Sequence, residues 1–208
     1  MMKRFLCALC ALLLSGCTGS LFHSNAPAIT IYQLSVDAKP GGAPLAADLA
    51  VLRPGIRSGL DNDRIAVVYP DHRLDYLAAA RWSGPLDEML QDLALQAFRG
   101  AGALRNVDTD TSAFASGYWL ELEVVDFQAE YPAGRPDAAP TVHVHLVGRV
   151  GMSGDRRLLG EVEAEARQQA ADNRLTAIIQ AYNQASASAL ARVVAETADT
   201  LRRNLETH

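Results

Sequence analysis

Three consecutive stretches with a two-residue apolar period, followed by one long stretch with a helical period, constrain the fold of this 208-residue chain most. Across residues 118–130, Leu120, Leu122 and Val124 alternate with Glu121 and Glu123. Across 141–150, Val142, Val144 and Leu146 alternate with His143 and His145; across 156–167, Leu158, Val162 and Ala164 oppose Glu161, Glu163 and Glu165. Successive side chains of a strand point to opposite faces, so each stretch predicts a strand with one dry and one wet face. The phase breaks at Val124-Val125, which predicts a bulge that turns Phe127 inward. Hairpin-length links join the three, and a sheet built this way is antiparallel. The helix expected from residue 172 to about 204 then places Leu175, Ile178, Ile179, Tyr182, Leu190, Val193, Val194, Leu201 and Leu205 on one helical stripe. Small residues between Ala185 and Ala189 allow that helix close approach to the sheet.

Upstream the elements are shorter. Alternation over residues 29–36 predicts a first strand, an apolar run over 49–52 a second, and residues 64–69 a third that returns as a hairpin at 73–76. Ser83 as N-cap and Pro85 in the first turn, with Leu86, Met89, Leu90, Leu93, Ala97 and Phe98 on one face, predict a helix ending near Arg99 before Gly100 and Gly102. A short strand at 103–107 follows. The expected architecture is an α+β two-layer domain, with a mostly antiparallel sheet covered on one face by two helices, one of them long and C-terminal.

The N-terminal end reads as an address. Lys3 and Arg4 precede the apolar run 5–14. At about 1.5 Å per helical residue, that run reaches roughly half of a ~30 Å hydrocarbon core, so it is a signal h-region and not a membrane span. Leu14-Ser15-Gly16-Cys17 then looks like a lipobox, with cleavage between Gly16 and Cys17 and acylation of Cys17. Cys7 and Cys10 would leave with the signal, which removes disulfides and cysteine-ligated metals from the remainder. Thr18 after the cysteine favours sorting to the outer membrane. Residues 18–28 form a polar tether that at about 3.3–3.6 Å per residue spans less than ~40 Å. The expected organisation is therefore signal peptide at 1–16, lipidated cysteine and tether at 17–28, and one domain over 29–208.

Reactive chemistry is sparse. The net charge of −5 argues against nucleic acid as a partner, and the only lysines, Lys3 and Lys39, leave no catalytic lysine pocket. No phosphate-binding glycine loop and no nucleophile elbow occur. His143 and His145, two apart on one strand, are weak candidates for a metal pair, with Glu161 or Glu163 as a third ligand. The alternative is that they sit on the wet face. The five glutamates are either that same wet face or, at a defined separation in a cleft, an acid/base pair. Arg81-Trp82 falls on a predicted loop between hairpin and helix. Either Trp82 plugs the core and Arg81 pairs with an acid such as Asp87, or the two residues, with Tyr32, contact a partner.

With these landmarks placed, the chain resembles the ABC-type transport auxiliary lipoprotein component family, of the paraquat-inducible protein C type. The resemblance lies in Cys17, the opening Tyr32-Gln33-Leu34, and Leu60-Asp61-Asn62-Asp63-Arg64-Ile65 before Val67-Val68. It continues through Leu74-Asp75-Tyr76, Ala80-Arg81-Trp82-Ser83, Tyr118-Trp119-Leu120-Glu121-Leu122 and the Ala-rich closing helix. The His143/His145 strand departs from it. The resemblance implies a non-enzymatic lipoprotein without a cofactor, on the periplasmic face of the outer membrane. Its implied partners are a periplasmic MCE-domain protein with its permease and ATPase, and its implied task is transport of lipids or other hydrophobic molecules between the membranes. Ring-like self-assembly against such a partner is compatible with it. A stand-alone lipoprotein binding a hydrophobic ligand between sheet and helices is the competing expectation.

Overall fold

The structure is a computed structural model that describes residues 28–207 apart from Ser112 and Pro136. The strands are β1 (Thr30–Tyr32), β2 (Leu45–Val51), β3 (Gly55–Ile56), β4 (Arg64–Val68), β5 (Leu74–Trp82), β6 (Leu104–Thr109), β7 (Tyr118–Glu130), β8 (Thr141–Met152) and β9 (Leu158–Gln169). The helices are α1 (Leu86–Ala101), between β5 and β6, and α2 (Leu175–Glu206), which closes the chain.

The long strands β7, β8 and β9 form the expected antiparallel meander, paired along nearly their whole length. The register of β7 on β8 shifts between Val124 and Asp126, and beyond the shift Phe127 is buried, as the phase break predicts. Leu120, Leu122, Val142, Val144, Leu146, Val162 and Ala164 all face the core, while Glu121, Glu123, Glu161, Glu163 and Glu165 are exposed on the other face.

The remaining strands correct the expected sheet. It is mixed: β2, β3 and β4 each lie parallel to β7, one after another along its second side. Beyond them β6 pairs parallel with β2, β5 antiparallel with β4, and β1 parallel with β5. The physical reason lies in the length of β7. Its long flank can satisfy its hydrogen-bonding groups only if several short segments share it. The chain lays β2, β3 and β4 along it in sequence order, so all three run in its direction.

Both helices cover the apolar face. In α1, Met89, Leu90, Leu93, Ala97 and Phe98 are buried. Its start does not use Ser83 as a cap: Pro85 is the N-cap, without a side-chain hydrogen bond, and the Leu86 N–H donates to the Asn62 carbonyl instead (3.2 Å). Gly102 ends it in the left-handed conformation (φ 59°), where a side chain would be strained, and its N–H closes onto Phe98 and Arg99 carbonyls. The helix α2 buries Tyr182, Ala185, Ser186, Ala189, Leu190 and Val193, so its small residues do sit at the interface. It also runs along the free edge of β9. Arg192 donates to the Glu165 carbonyl (3.0 Å) and the Glu163 N–H donates to the Glu196 carboxylate (3.3 Å), which occupies backbone groups that an exposed edge would offer to another strand.

Candidate functional site

Of the residues singled out in the sequence, Gly16 and Cys17 lie outside the described residues. Tyr32, Arg81 and Trp82 come together where β1 pairs with β5: Ile31 opposes Arg81 and Tyr32 opposes Trp82. Arg81 and Trp82 end a strand and do not form a loop, because β5 extends the expected hairpin from Tyr76 through a wide bulge. Two residues of β4, Arg64 to Ala66, span five of β5, and Ala79 takes a positive φ of 54° within it. As consecutive strand residues beyond that bulge, the two send their side chains to opposite faces. Trp82 is 2% exposed and packs edge-on against Phe127 (5.9 Å between ring centres) and Tyr182 (5.1 Å). Arg81 stays at the surface and pairs with Asp63 at 2.6 Å. Asp87, the partner expected for it, is instead held by Arg53 at 2.7 Å. Tyr32 is half-buried against the core, and its neighbours Ile29 and Ile31 are exposed.

The Tyr182 hydroxyl ties this corner to the sheet by donating to the Ala66 carbonyl (2.6 Å). Burial pushes its phenol well above the ordinary tyrosine range, so it stays a neutral donor at any physiological pH.

His143 and His145 lie on the open face, their rings stacked at 6.3 Å with 13° between planes. Their neighbours are carboxylates and an arginine. His143 Nδ1 is 3.0 Å from Glu130 and Nε2 is 2.9 Å from Glu165, while His145 Nε2 is 2.8 Å from Glu163. Arg167 donates to Glu130 (2.7 Å) and to Glu165 (3.1 Å), and its Nη2 lies 3.1 and 3.3 Å from the two ring nitrogens of His143. Neutral imidazole has one N–H and can serve one carboxylate; the imidazolium serves both. Burial raises the Glu130 carboxyl, but hydrogen bonds from Arg167, His143 and Gln128 outweigh it and hold the group below the ordinary range. The Arg167 hydrogen bond likewise lowers Glu165. Glu161 takes no part, and among the described residues no histidine–carboxylate group has an arrangement that could hold a metal ion. The arrangement is a three-strand ion-pair network that screens a buried histidine.

One surface feature escaped the sequence reading. Trp119 opposes Gly151 across β7 and β8, and its indole covers that glycine so closely that a Cβ there would overlap the ring. The available signal was a tryptophan at a wet-face position registered against a strand glycine, and it needs the register to be seen.

The site geometry is that of a mixed sheet whose dry face is filled by helices and whose wet face carries paired charges. The chain belongs to the ABC-type transport auxiliary lipoprotein component family, whose model matches residues 32–195. It is similar in fold to the crystallised protein XCC0632 of Xanthomonas campestris, assigned to the family model DUF330, with a TM-score of 0.77 at 23% identity over 85% of this chain and 99% of that one. A second crystal structure, of an uncharacterized protein, is similar with a TM-score of 0.61 at 16% identity over 82% of this chain and 99% of that one. No curated protein matches the chain. No helix among the described residues is long and apolar enough to cross a membrane.

Proposed function

We propose that this protein is a lipid-anchored adaptor of the cell envelope, a non-catalytic subunit of an ABC-type transport system. In this reading residues 1–16 are a signal peptide, Cys17 carries the acyl chains, 17–28 tether, and the domain of 29–208 hangs at the periplasmic face of the outer membrane. Its docking partner is a periplasmic MCE-domain protein, and the cargo is a lipid or another hydrophobic molecule. The observation that carries the reading is the match to the auxiliary lipoprotein family over residues 32–195. The exposed Ile29 and Ile31 support it: Ile31 lies within, and Ile29 just before, an edge strand that, among the described residues, pairs only with β5, immediately beyond the tether. An open apolar edge is an association site unless something covers it, and Tyr32 and Arg81 border it. The space between sheet and helices is filled by Phe98, Phe127, Tyr182 and leucines, which favours docking over storage of a ligand inside.

The test is purification from detergent-solubilised envelopes with Cys17 intact. The reading expects co-purification with an MCE-domain protein, and loss of both radiolabelled palmitate and vesicle sedimentation in Cys17→Ser. Recovery of the acylated protein alone would reject the transport role. An unlabelled but membrane-bound Cys17→Ser protein would reject the anchor.

A further inference from the structure

The open face holds a cleft of about 500 Å³ where β2, the start of β7, the loop after β6 and the β8–β9 turn meet. This volume falls in the range of small-ligand sites, about 300–1,000 Å³. Its floor is Trp119. The indole lies on Gly151, where a Cβ would overlap it, and Nε1 donates to the Met152 carbonyl at 3.1 Å. The ring is thus fixed against the sheet by one face and one edge. Ala50 and Leu52 extend the floor, Phe114 forms a wall, and the rim carries Asp110, Glu121, Ser116, Ser153 and Arg156.

The rim is held in place by the protein itself. The Ser153 N–H donates to the Gly117 carbonyl (2.9 Å), and the Ser116 and Ser153 hydroxyls are 3.4 Å apart, which joins the loop to the turn. Arg156 sits at φ 55°, a conformation that costs a non-glycine residue about 1 kcal/mol or more and that concentrates at binding sites. Among the described residues neither Arg156 nor Asp110 has an ion-pair partner, in contrast to the charges of the His143 network. Among the described residues Glu121 has only Arg149 as an ion-pair partner, at 3.7 Å.

The chemistry of the lining selects among ligands. An organic cation would use the indole and the two carboxylates but would be repelled by Arg156. A proline-rich peptide would stack on the indole, yet proline offers no N–H to Asp110 or Glu121. A sugar ring has an apolar C–H face for the indole and hydroxyls that both donate and accept, so it satisfies the carboxylates, the guanidinium and the serines together. We propose that the Trp119 cleft is a saccharide-binding site.

Titration calorimetry of the full-length acylated protein in detergent tests this, with maltotriose, cellotriose and chitotriose at millimolar concentration as probes. Binding of at least one is expected, about tenfold or more weakened in Trp119→Ala and in Asp110→Asn, while Arg73→Ala, in the β4–β5 turn at the Glu130 end of β7 and so at the opposite end of that strand from the cleft, leaves it unchanged. Asp110→Asn lies on an exposed loop position and keeps the test valid if Trp119→Ala fails to fold. Silence with all three trisaccharides overturns the proposal. So does binding of tetramethylammonium or a polyproline peptide in their place, or sugar binding that is indifferent to both cleft variants.

Discussion

Truncating Trp82 to alanine is the sharpest perturbation of the corner where the sequence left two readings open. The indole is 2% exposed, so nearly its whole surface, of order 200 Å² for a tryptophan, is withdrawn from water. At about 25 cal/mol per Å² that is ~5 kcal/mol, of which the remaining alanine methyl keeps a small part. Edge-on contacts with Phe127 and Tyr182 add about 0.5–1.5 kcal/mol each, and partial collapse of the cavity returns some of it. A loss of about 4 kcal/mol follows, close to the whole stability of a marginal domain of roughly 5 kcal/mol. The melting temperature should fall by about 8–16 °C, and Trp82→Phe should lose less than half as much. Urea and thermal unfolding followed by far-ultraviolet circular dichroism measure this, because fluorescence would lose one of only two tryptophans. Arg81→Ala is the internal control. Its ion pair with Asp63 is half-exposed on both sides, and such pairs contribute about 0–1 kcal/mol. A Trp82→Ala protein within about 1 kcal/mol of its parent would refute the reasoning, since no core indole can be removed at that cost.

The open face and the β9 edge give three more expectations. Glu130 and Glu165 titrate below their ordinary value near 4.5 in the folded state, so the stability they contribute is full above that pH and is lost as pH falls through the lowered values. His143→Ala removes a donor that lowers Glu130, so the midpoint of acid unfolding should move to higher pH; an unchanged midpoint would show that Arg167 alone sets it. Gly151→Val should destabilise by about 1–3 kcal/mol through overlap with Trp119, and most of the loss should vanish in the Gly151→Val, Trp119→Ala double variant; additive losses would place the clash elsewhere. Replacing Arg192 and Glu196 together by alanine uncovers the β9 backbone and should raise the apparent mass in light scattering, whereas a monodisperse variant would mean that other groups protect that edge.

Local periodicity made the meander, the bulge at Phe127, both helices and the Gly102 stop legible, because each depends on residues within a few positions of one another. The mixed sheet was not legible. Whether β2, β3 and β4 run with or against β7 depends on partners about 60–70 residues away, and short apolar runs look alike in either direction. Placing Arg81 and Trp82 on a loop failed for a related reason: the bulge at Ala79 breaks the alternation that would have extended β5. The histidines were half legible. Their shared face followed from the period of two, but the burial of His143 comes from Arg167 and Glu130, which the pairing of β9 and β7 on either side of β8 brings over it.

The division between the two charged regions of the open face is what assigns them different work. At the end of β7 near Glu130, every close carboxylate meets a guanidinium or an imidazole, and the network is satisfied by three strands of the same molecule. Such a surface has little to gain from a ligand, since any new hydrogen bond replaces an existing one. At the start of β7, Asp110 and Arg156 line a cleft without forming ion pairs among the described residues, next to an indole that the protein holds flat against Gly151. Groups left facing water around a fixed aromatic plane gain most from a partner that brings its own donors and acceptors. The dry face is filled by α1 and α2, and α2 also occupies the edge of β9. Two places on the described surface are thus left unfilled by the protein itself, the Trp119 cleft and the β1 edge with its exposed Ile29 and Ile31. Under the proposed function, the second would meet the transport partner while the first stays free for the proposed saccharide.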